Sequence, residues 1–150
     1  MKKLLVLITT LTIAIGAYAQ IEAPVKWAYL AKRTAATEAV ILLKATIQPG
    51  WHIYSQNVKS GGPIKTSFTF APSKDYVLAG KVAEPKPVTK FEPSFKMNVT
   101  YFEKEVIFQQ KIKLKTANAT AVKGKIEYEV CNNLKCVLPP DVNFNIPVAK

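Results

Sequence analysis

Short stretches in which apolar and polar residues alternate are the feature that most restricts how this chain can fold. In EAVILLKATIQ (Glu38–Gln48) every second residue is apolar, and IKTSFTFA (Ile64–Ala71) alternates in the same way. Successive side chains of a β-strand point to opposite faces, so a period of two predicts strands with one buried face. We find no segment with the longer period of an amphipathic helix. The pattern therefore predicts an all-β chain.

Clusters of Pro, Gly, Asn and Ser separate these stretches, as expected for turns between strands. The same criteria predict further strands over Val25–Lys32, Trp51–Ser55, Tyr76–Ala79, Lys123–Val130 and Asn143–Val148. About eight short strands in a chain of this length are typical of an antiparallel β-sandwich. We therefore expect a single sandwich domain, with a small barrel as the alternative.

Two connections are also predicted from local sequence. Val99–Phe102 and Val106–Leu114 are expected to form a hairpin around the polar Glu103–Glu105 segment. Val82–Lys96 is rich in proline and lysine, which predicts an extended loop or an irregular edge.

The first residues have the three parts of a secretory signal. Lys2 and Lys3 precede the apolar run Leu4–Ile15, and Ala17 and Ala19 occupy the small-residue positions of a cleavage site. The run is shorter than the roughly 20 residues that a membrane span needs. We expect residues 1–19 to be a signal peptide and residues 20–150 to be the exported domain, without stable membrane insertion.

The chain carries a formal charge of +11, almost all of it from lysine, and Arg33 is its only arginine. Proteins that read nucleic acids depend on arginine to bind base edges and phosphates. The composition therefore predicts a solvated, lysine-rich surface and no nucleic-acid partner.

The only two cysteines lie close together near the C-terminus, in YEVCNNLKCVLPP (residues 128–140). Alternation through KIEYEV puts Tyr128 and Val130 inward, which leaves Cys131 on the outward face. The Asn-Asn pair that follows is typical of a turn, and the Pro-Pro pair after Cys136 excludes a central strand there. Both thiols are therefore predicted at the mouth of a loop at one end of the sandwich.

Three interpretations of this pair compete. An exported protein can form a structural disulfide, although a ring of six residues stabilises by only roughly 2 kcal/mol, against about 4.7 kcal/mol for a ring of a hundred. A metal site would have to draw on the two cysteines and on His52, the only histidine, whereas zinc sites usually need four ligands. A dithiol that exchanges with partner proteins needs one accessible sulfur and a second thiol nearby, and this spacing supplies both.

Charges beside the two cysteines differ. Lys135 adjoins Cys136 and would favour its thiolate, whereas Glu129 lies on the side of Cys131 and would oppose ionisation there. This asymmetry predicts that partners engage the Cys136 sulfur first.

Taken with the signal and the β-rich chain, YEVCNNLKCVLPP resembles the N-terminal periplasmic domain of the thiol:disulfide interchange protein DsbD. GWHIYS (Gly50–Ser55) and FEPSFKMNVTYF (Phe91–Phe102) add to the resemblance. The family has an immunoglobulin-like fold, takes electrons from a thioredoxin-like domain fed by a membrane partner, and passes them to periplasmic proteins. The likeness covers nearly all of residues 20–150, although the best-known members have five residues between the cysteines and this chain has four.

By position, the resemblance implies that Cys131 and Cys136 are the redox pair and that Cys136 forms the mixed disulfides. Phe95 matches the aromatic of a cap loop that lies over the cysteines, and Tyr54 and His52 match side chains that border the site. For each aromatic, ordinary packing is the alternative. No metal and no cofactor is implied.

We therefore predict a stand-alone, monomeric periplasmic domain that relays reducing equivalents through its cysteine pair. Its expected partners are a thioredoxin-like electron donor on a separate polypeptide and periplasmic proteins that contain disulfides. The expected activity is that of a protein-disulfide reductase. The alternative is a non-catalytic exported binding module whose short disulfide only makes a loop rigid.

Overall fold

The computed structural model describes residues 24–150 and shows β-strands and loops without a helix in that range, which confirms the all-β prediction. The predicted signal peptide lies outside the described residues. Residues 24–150 contain no helix that is long and apolar enough to cross a membrane. The strands are Val25–Ala35 (β1), Glu38–Ile47 (β2), His52–Tyr54 (β3), Ser67–Phe70 (β4), Tyr76–Ala83 (β5), Val88–Glu92 (β6), Met97–Phe102 (β7), Glu105–Leu114 (β8), Thr120–Glu127 (β9), Val130–Cys131 (β10), Cys136–Val137 (β11) and Val142–Val148 (β12).

The strands form three open antiparallel sheets. A four-stranded sheet has the order β1-β2-β8-β5, and a three-stranded sheet has the order β12-β9-β4. The third sheet has five strands in the order β11-β10-β3-β7-β6, and β10 follows β9 after a break of two residues. These open sheets pack around one main hydrophobic core, so the molecule is a β-sandwich and not a closed barrel.

The main core forms where the predicted alternation places apolar side chains. On β8, every second residue from Val106 to Leu114 is buried, and β2 shows the same pattern from Ala39 to Ile47. Aromatic rings join the sheets at the centre: Phe108 of β8 lies 4.9 Å from Phe68 of β4 and 5.7 Å from Phe102 of β7, measured between ring centroids. Burial of such side chains contributes about 1.5–3 kcal/mol each, which makes this core the main source of stability.

The predicted hairpin between Val99–Phe102 and Val106–Leu114 is wrong. β7 pairs with β3 and β6, whereas β8 pairs with β2 and β5, so the short connection carries the chain from one sheet to another. Lys104 makes the tight turn with φ of 63°, and its carbonyl accepts a hydrogen bond of 2.7 Å from the Ile47 N–H. A short polar connection fits either arrangement, because only long-range packing decides which strands pair.

The segment predicted as an extended loop or irregular edge contains the edge strand β6. β6 pairs antiparallel with β7 from Val88↔Tyr101 to Glu92↔Met97. The residues between the two strands, 93–96, form the turn of the β6–β7 hairpin. Pro93 lies outside the strand, so the segment's prolines do not interrupt its hydrogen-bond ladder.

Candidate functional site

Cys131 and Cys136 form a disulfide at the end of the five-stranded sheet. They face each other directly in the antiparallel β10–β11 pair, with their Cα atoms 4.0 Å apart. The four residues between them make a tight turn, in which the Asn132 side-chain oxygen accepts hydrogen bonds of 2.8 Å from the Leu134 and Lys135 N–H groups. A spacing of four residues therefore suits two cysteines at the base of a short hairpin.

The two sulfur-bearing residues differ in exposure. Val130 faces the main core and Cys131 faces the opposite side of the sheet, as the alternation predicted, but Cys131 is only 1% exposed. The sequence predicted both thiols at a loop mouth and outside the core, but Cys131 is buried in a second apolar cluster. The reason is that a second layer covers this face of the five-stranded sheet. Cys136, in contrast, is exposed.

The covering layer consists of a second, small cluster, which we call the cap cluster. Its fully buried members are Tyr54, Val99 and Cys131. Half-buried side chains pack against it from β7, from the loop after β3 and from the tip of the β6–β7 hairpin: Val58, Phe95, Met97 and Tyr101. Cys131 is therefore enclosed by side chains of segments distant in sequence.

Phe95 lies in the turn of the β6–β7 hairpin. The turn is closed by hydrogen bonds from the Phe95 N–H to the Glu92 carbonyl (3.1 Å) and from the Lys96 N–H to the Pro93 carbonyl (3.2 Å). Lys96 has φ of 52°, in the left-handed region that such a turn needs. The structure thus brings Phe95 to the cysteine pair on a hairpin whose strand β6 is mostly exposed. Its role as a cap stays a prediction.

His52 and Tyr54 project from β3 toward the same side as Cys131. Cys131 is the register partner of His52, and the His52 Nε2 lies 3.3 Å from the Tyr54 hydroxyl. Burial lowers the pKa of His52, and burial together with the Glu129 and Glu92 carboxylates raises the pKa of Tyr54 to about 12. At neutral pH both rings are therefore neutral. Both residues border a cleft of about 570 Å³ that also contains Phe95 and the two cysteines.

Glu129 also lies at the site, where the sequence indicated only a negative charge near Cys131. One of its carboxylate oxygens and the two cysteine sulfurs all lie within 4.8 Å of one another. The Ile64 N–H, from the loop between β3 and β4, donates a hydrogen bond of 3.0 Å to Glu129 Oε2. The signal was present in the sequence, because residues two apart on a strand share a face.

The donor atoms at the disulfide do not match a usual zinc site. Within residues 24–150, the group of possible donor atoms at the disulfide has three members, and His52 lies outside it. Both sulfurs are used in the disulfide, whereas a structural zinc site takes four ligands and needs thiolates.

The fold and site together define a class of protein: an immunoglobulin-like β-sandwich with a half-exposed disulfide at one end. Residues 21–146 match the family of the thiol:disulfide interchange protein DsbD, N-terminal. The chain belongs to this family. The family and the disulfide together support a role in thiol–disulfide interchange.

Solved structures with the same fold include the N-terminal periplasmic domain of ScsB from Proteus mirabilis, with a TM-score of 0.58 and 22% identity. That match covers 83% of this chain but only 46% of the ScsB chain, so this chain spans about half of that relative's length. The complex between the DsbD N-terminal and PilB N-terminal domains from Neisseria meningitidis matches with a TM-score of 0.54 and 15% identity, over 84% of this chain and 87% of that one. At these identities the structures show the shared fold alone. The search of curated protein sequences found no significant match.

Proposed function

We propose that this protein relays reducing equivalents by thiol–disulfide exchange through Cys131 and Cys136. The observation that carries the proposal is the contrast between the exposed Cys136 and the buried Cys131 to which it is bonded. Exchange requires a sulfur that a partner can reach and a second thiol that can resolve the mixed disulfide. An exposed cysteine joined to a sheltered one fits both needs.

The reaction has two steps when the reduced protein acts on a disulfide substrate. The Cys136 thiolate attacks one substrate sulfur, forms a mixed disulfide and releases the other substrate sulfur as a thiol. The Cys131 thiolate then attacks Cys136, the Cys131–Cys136 disulfide forms, and the second substrate sulfur leaves and takes up a proton. The pair loses two electrons and the substrate disulfide gains them. The protein's disulfide is regenerated to a dithiol by the same steps in reverse.

Phe95 has a protective role in this proposal. Its hairpin packs against the cap cluster, so reagents approach Cys131 only when the hairpin tip moves away. A docking partner would displace the tip and gain access to the disulfide. Tyr54 and His52 would form the wall of the cleft on which the hairpin rests.

The proposed donor is a thioredoxin-like protein supplied with electrons from the membrane, and the proposed substrates are periplasmic proteins with disulfides. Support comes from the family and from the Neisseria structure, in which a DsbD N-terminal domain is complexed with a PilB N-terminal domain. The N-terminal signal pattern and the periplasmic ScsB domain support a periplasmic location. The protein is proposed to work as a monomer.

Trapping of mixed disulfides in cells tests the proposal. Cys131→Ser leaves Cys136 unable to be resolved, so it should accumulate disulfide-linked partners that disappear on reduction. Cys136→Ser removes the sulfur of the exposed cysteine and should trap none. Equal trapping by both variants would overturn the assignment of roles. A pair that is fully oxidised in cells, and that a thioredoxin-like reductant fails to reduce in vitro, would contradict the relay itself.

A further inference from the structure

Cys131 has to lose a proton in a place that bulk water hardly reaches. Its side chain is 1% exposed and packs with Tyr54 and Val99, and Phe95 lies at the edge of the same cluster. The thiolate is the nucleophile in disulfide exchange, and apolar surroundings disfavour it. The resolving step therefore needs a nearby group that accepts the thiol proton.

Glu129 is placed to be that group. One of its carboxylate oxygens lies within 4.8 Å of both sulfurs. The hydrogen bond from the Ile64 N–H holds the carboxylate in position. A carboxylate offers about four lone-pair sites, so this bond leaves capacity to accept a proton from a thiol.

The other polar side chains around the cleft are less suited. Tyr54, with a pKa raised to about 12 by burial and by the Glu129 and Glu92 carboxylates, stays protonated at neutral pH. Within residues 24–150, the donor atoms gathered at the sulfurs are those of Glu129 and the cysteines, and the ring nitrogens of His52 are not among them. His52 is instead packed between Tyr54 and Tyr101, with ring centroids 5.2 and 4.9 Å away.

We propose that Glu129 accepts the proton of the Cys131 thiol when Cys131 resolves a mixed disulfide on Cys136. The Glu129 carboxylate takes the proton, the Cys131 sulfur bonds to the Cys136 sulfur, and the Cys136–partner bond breaks. The electron pair of that bond leaves with the partner sulfur, which is protonated from solvent. In the reverse direction, the Glu129 carboxylic acid returns its proton to the departing Cys131 sulfur. This inference rests on the proposed exchange function.

A small aromatic disulfide separates the two steps without a protein partner. The reduced protein is mixed with an equimolar amount of dithiobis(nitrobenzoic acid), and release of the coloured thiol is followed by stopped flow. The first release reports attack by Cys136, and the second, independent of concentration, reports attack by Cys131. Glu129→Gln should not slow the first phase, since loss of a negative charge near Cys136 favours its thiolate. It should slow the second phase by about 10²-fold at neutral pH, the low end for a positioned proton acceptor.

The pH dependence gives a readout that a structural role would not produce. In the wild type, the second phase should change little with pH over a range around neutrality, because the Glu129 carboxylate and not hydroxide takes the proton. In Glu129→Gln it should rise in proportion to hydroxide over the same range. The other charged or titratable groups around the site are His52 and Tyr54 on β3, Lys90 and Glu92 on β6, Tyr101 on β7, Glu103 after β7 and Lys135 in the β10–β11 turn. All are the same in both proteins, so the difference reports Glu129.

Two further variants complete the experiment. Glu127→Gln removes the same charge two residues earlier, where the carboxylate pairs with Lys125 at 3.3 Å, and should behave like the wild type. Glu129→Asp keeps a carboxylate and should restore part of the rate. A second phase that is equally fast or faster in Glu129→Gln would overturn the inference, because loss of charge repulsion would then outweigh loss of a proton acceptor. Absence of the second phase in the wild type would overturn the proposed function as well.

Discussion

The main core and the cap cluster are both apolar, but they are built differently. The main core gathers buried side chains from all three sheets, and its strands pair along long ladders. The cap cluster has three fully buried side chains, and part of its cover comes from the tip of the β6–β7 hairpin. Few apolar contacts and an exposed hairpin are features of regions that open locally while the rest stays folded. The main core therefore maintains the fold, whereas the cap cluster is the region to which the proposed function assigns control of access to Cys131.

The largest effect should follow from a cavity in the main core. Phe108 is fully buried and lies near Trp27, Phe68 and Phe102. Phe108→Ala should lower the free energy of unfolding by about 3–5 kcal/mol, measured by chemical denaturation of the oxidised protein. Ile107→Ala, on the solvent side of the same strand, should cost much less. Similar losses in the two variants would contradict the assignment of the core face.

An intermediate effect should appear at high pH, in the cap cluster. Tyr54 has a pKa of about 12 in the folded protein, because burial and the Glu129 and Glu92 carboxylates disfavour the phenolate. In the unfolded chain the Tyr54 phenol ionises near pH 10. Between about pH 10 and the pKa of the folded protein, the folded state therefore keeps a phenol proton that the unfolded state has lost. Stability from this group is therefore complete below about pH 10 and is lost as the pH rises toward 12.

Comparison with Tyr54→Phe isolates this contribution. The variant has no phenol to titrate, so its free energy of unfolding should fall less steeply with pH over that window. Denaturation series at several alkaline pH values would measure the difference. Identical slopes in the two proteins would show that Tyr54 ionises as it does in the unfolded chain.

The smallest effect on stability should come from Phe95. The side chain is half-buried at a hairpin tip, so Phe95→Ala should cost about 1 kcal/mol or less of global stability. A loss of about 1 kcal/mol from the closed hairpin alone would raise its open fraction about fivefold. The reduced pair should then react about fivefold faster with a small oxidant, as measured by stopped flow.

Phe91→Ala is the matched control, since Phe91 lies on the same hairpin but is 57% exposed and is not part of the cap cluster. It should leave the reaction rate near that of the wild type. If Phe95→Ala reacts no faster than Phe91→Ala, Phe95 only packs and does not guard the site.

Local sequence was a good guide wherever a strand has one buried and one solvated face. The observed burial follows the predicted alternation closely in β2, in β8 and on the core-facing side of β9 and β10. In these strands, burial of a side chain depends only on whether it faces the other sheet. The same reasoning placed Cys131 on the correct face but misjudged its exposure. A two-residue period identifies the face of a strand and says nothing about what covers that face.

The errors share this cause. The β7–β8 connection has the local pattern of a hairpin, yet its strands belong to different sheets, since pairing is decided by the packing of Phe102 and Val106 into one core. β6 was not recognised as a strand because the prolines that flank it and the lysines of its segment suit an exposed edge, which pairs on one side only.

The sequence alone determined that the chain is all-β, and it favoured a sandwich over a small barrel. It also identified the two cysteines as the chemically distinctive pair and assigned the residues beside them to the two faces of the strand. These properties depend on alternation and spacing, which are local. The tertiary structure alone decided that Cys131 is buried while Cys136 is exposed, that the Phe95 hairpin lies against the cap cluster, and that the Ile64 N–H holds Glu129 beside the sulfurs. Each of these three features depends on contacts between segments that are distant in sequence, and the packing of the whole fold determines those contacts.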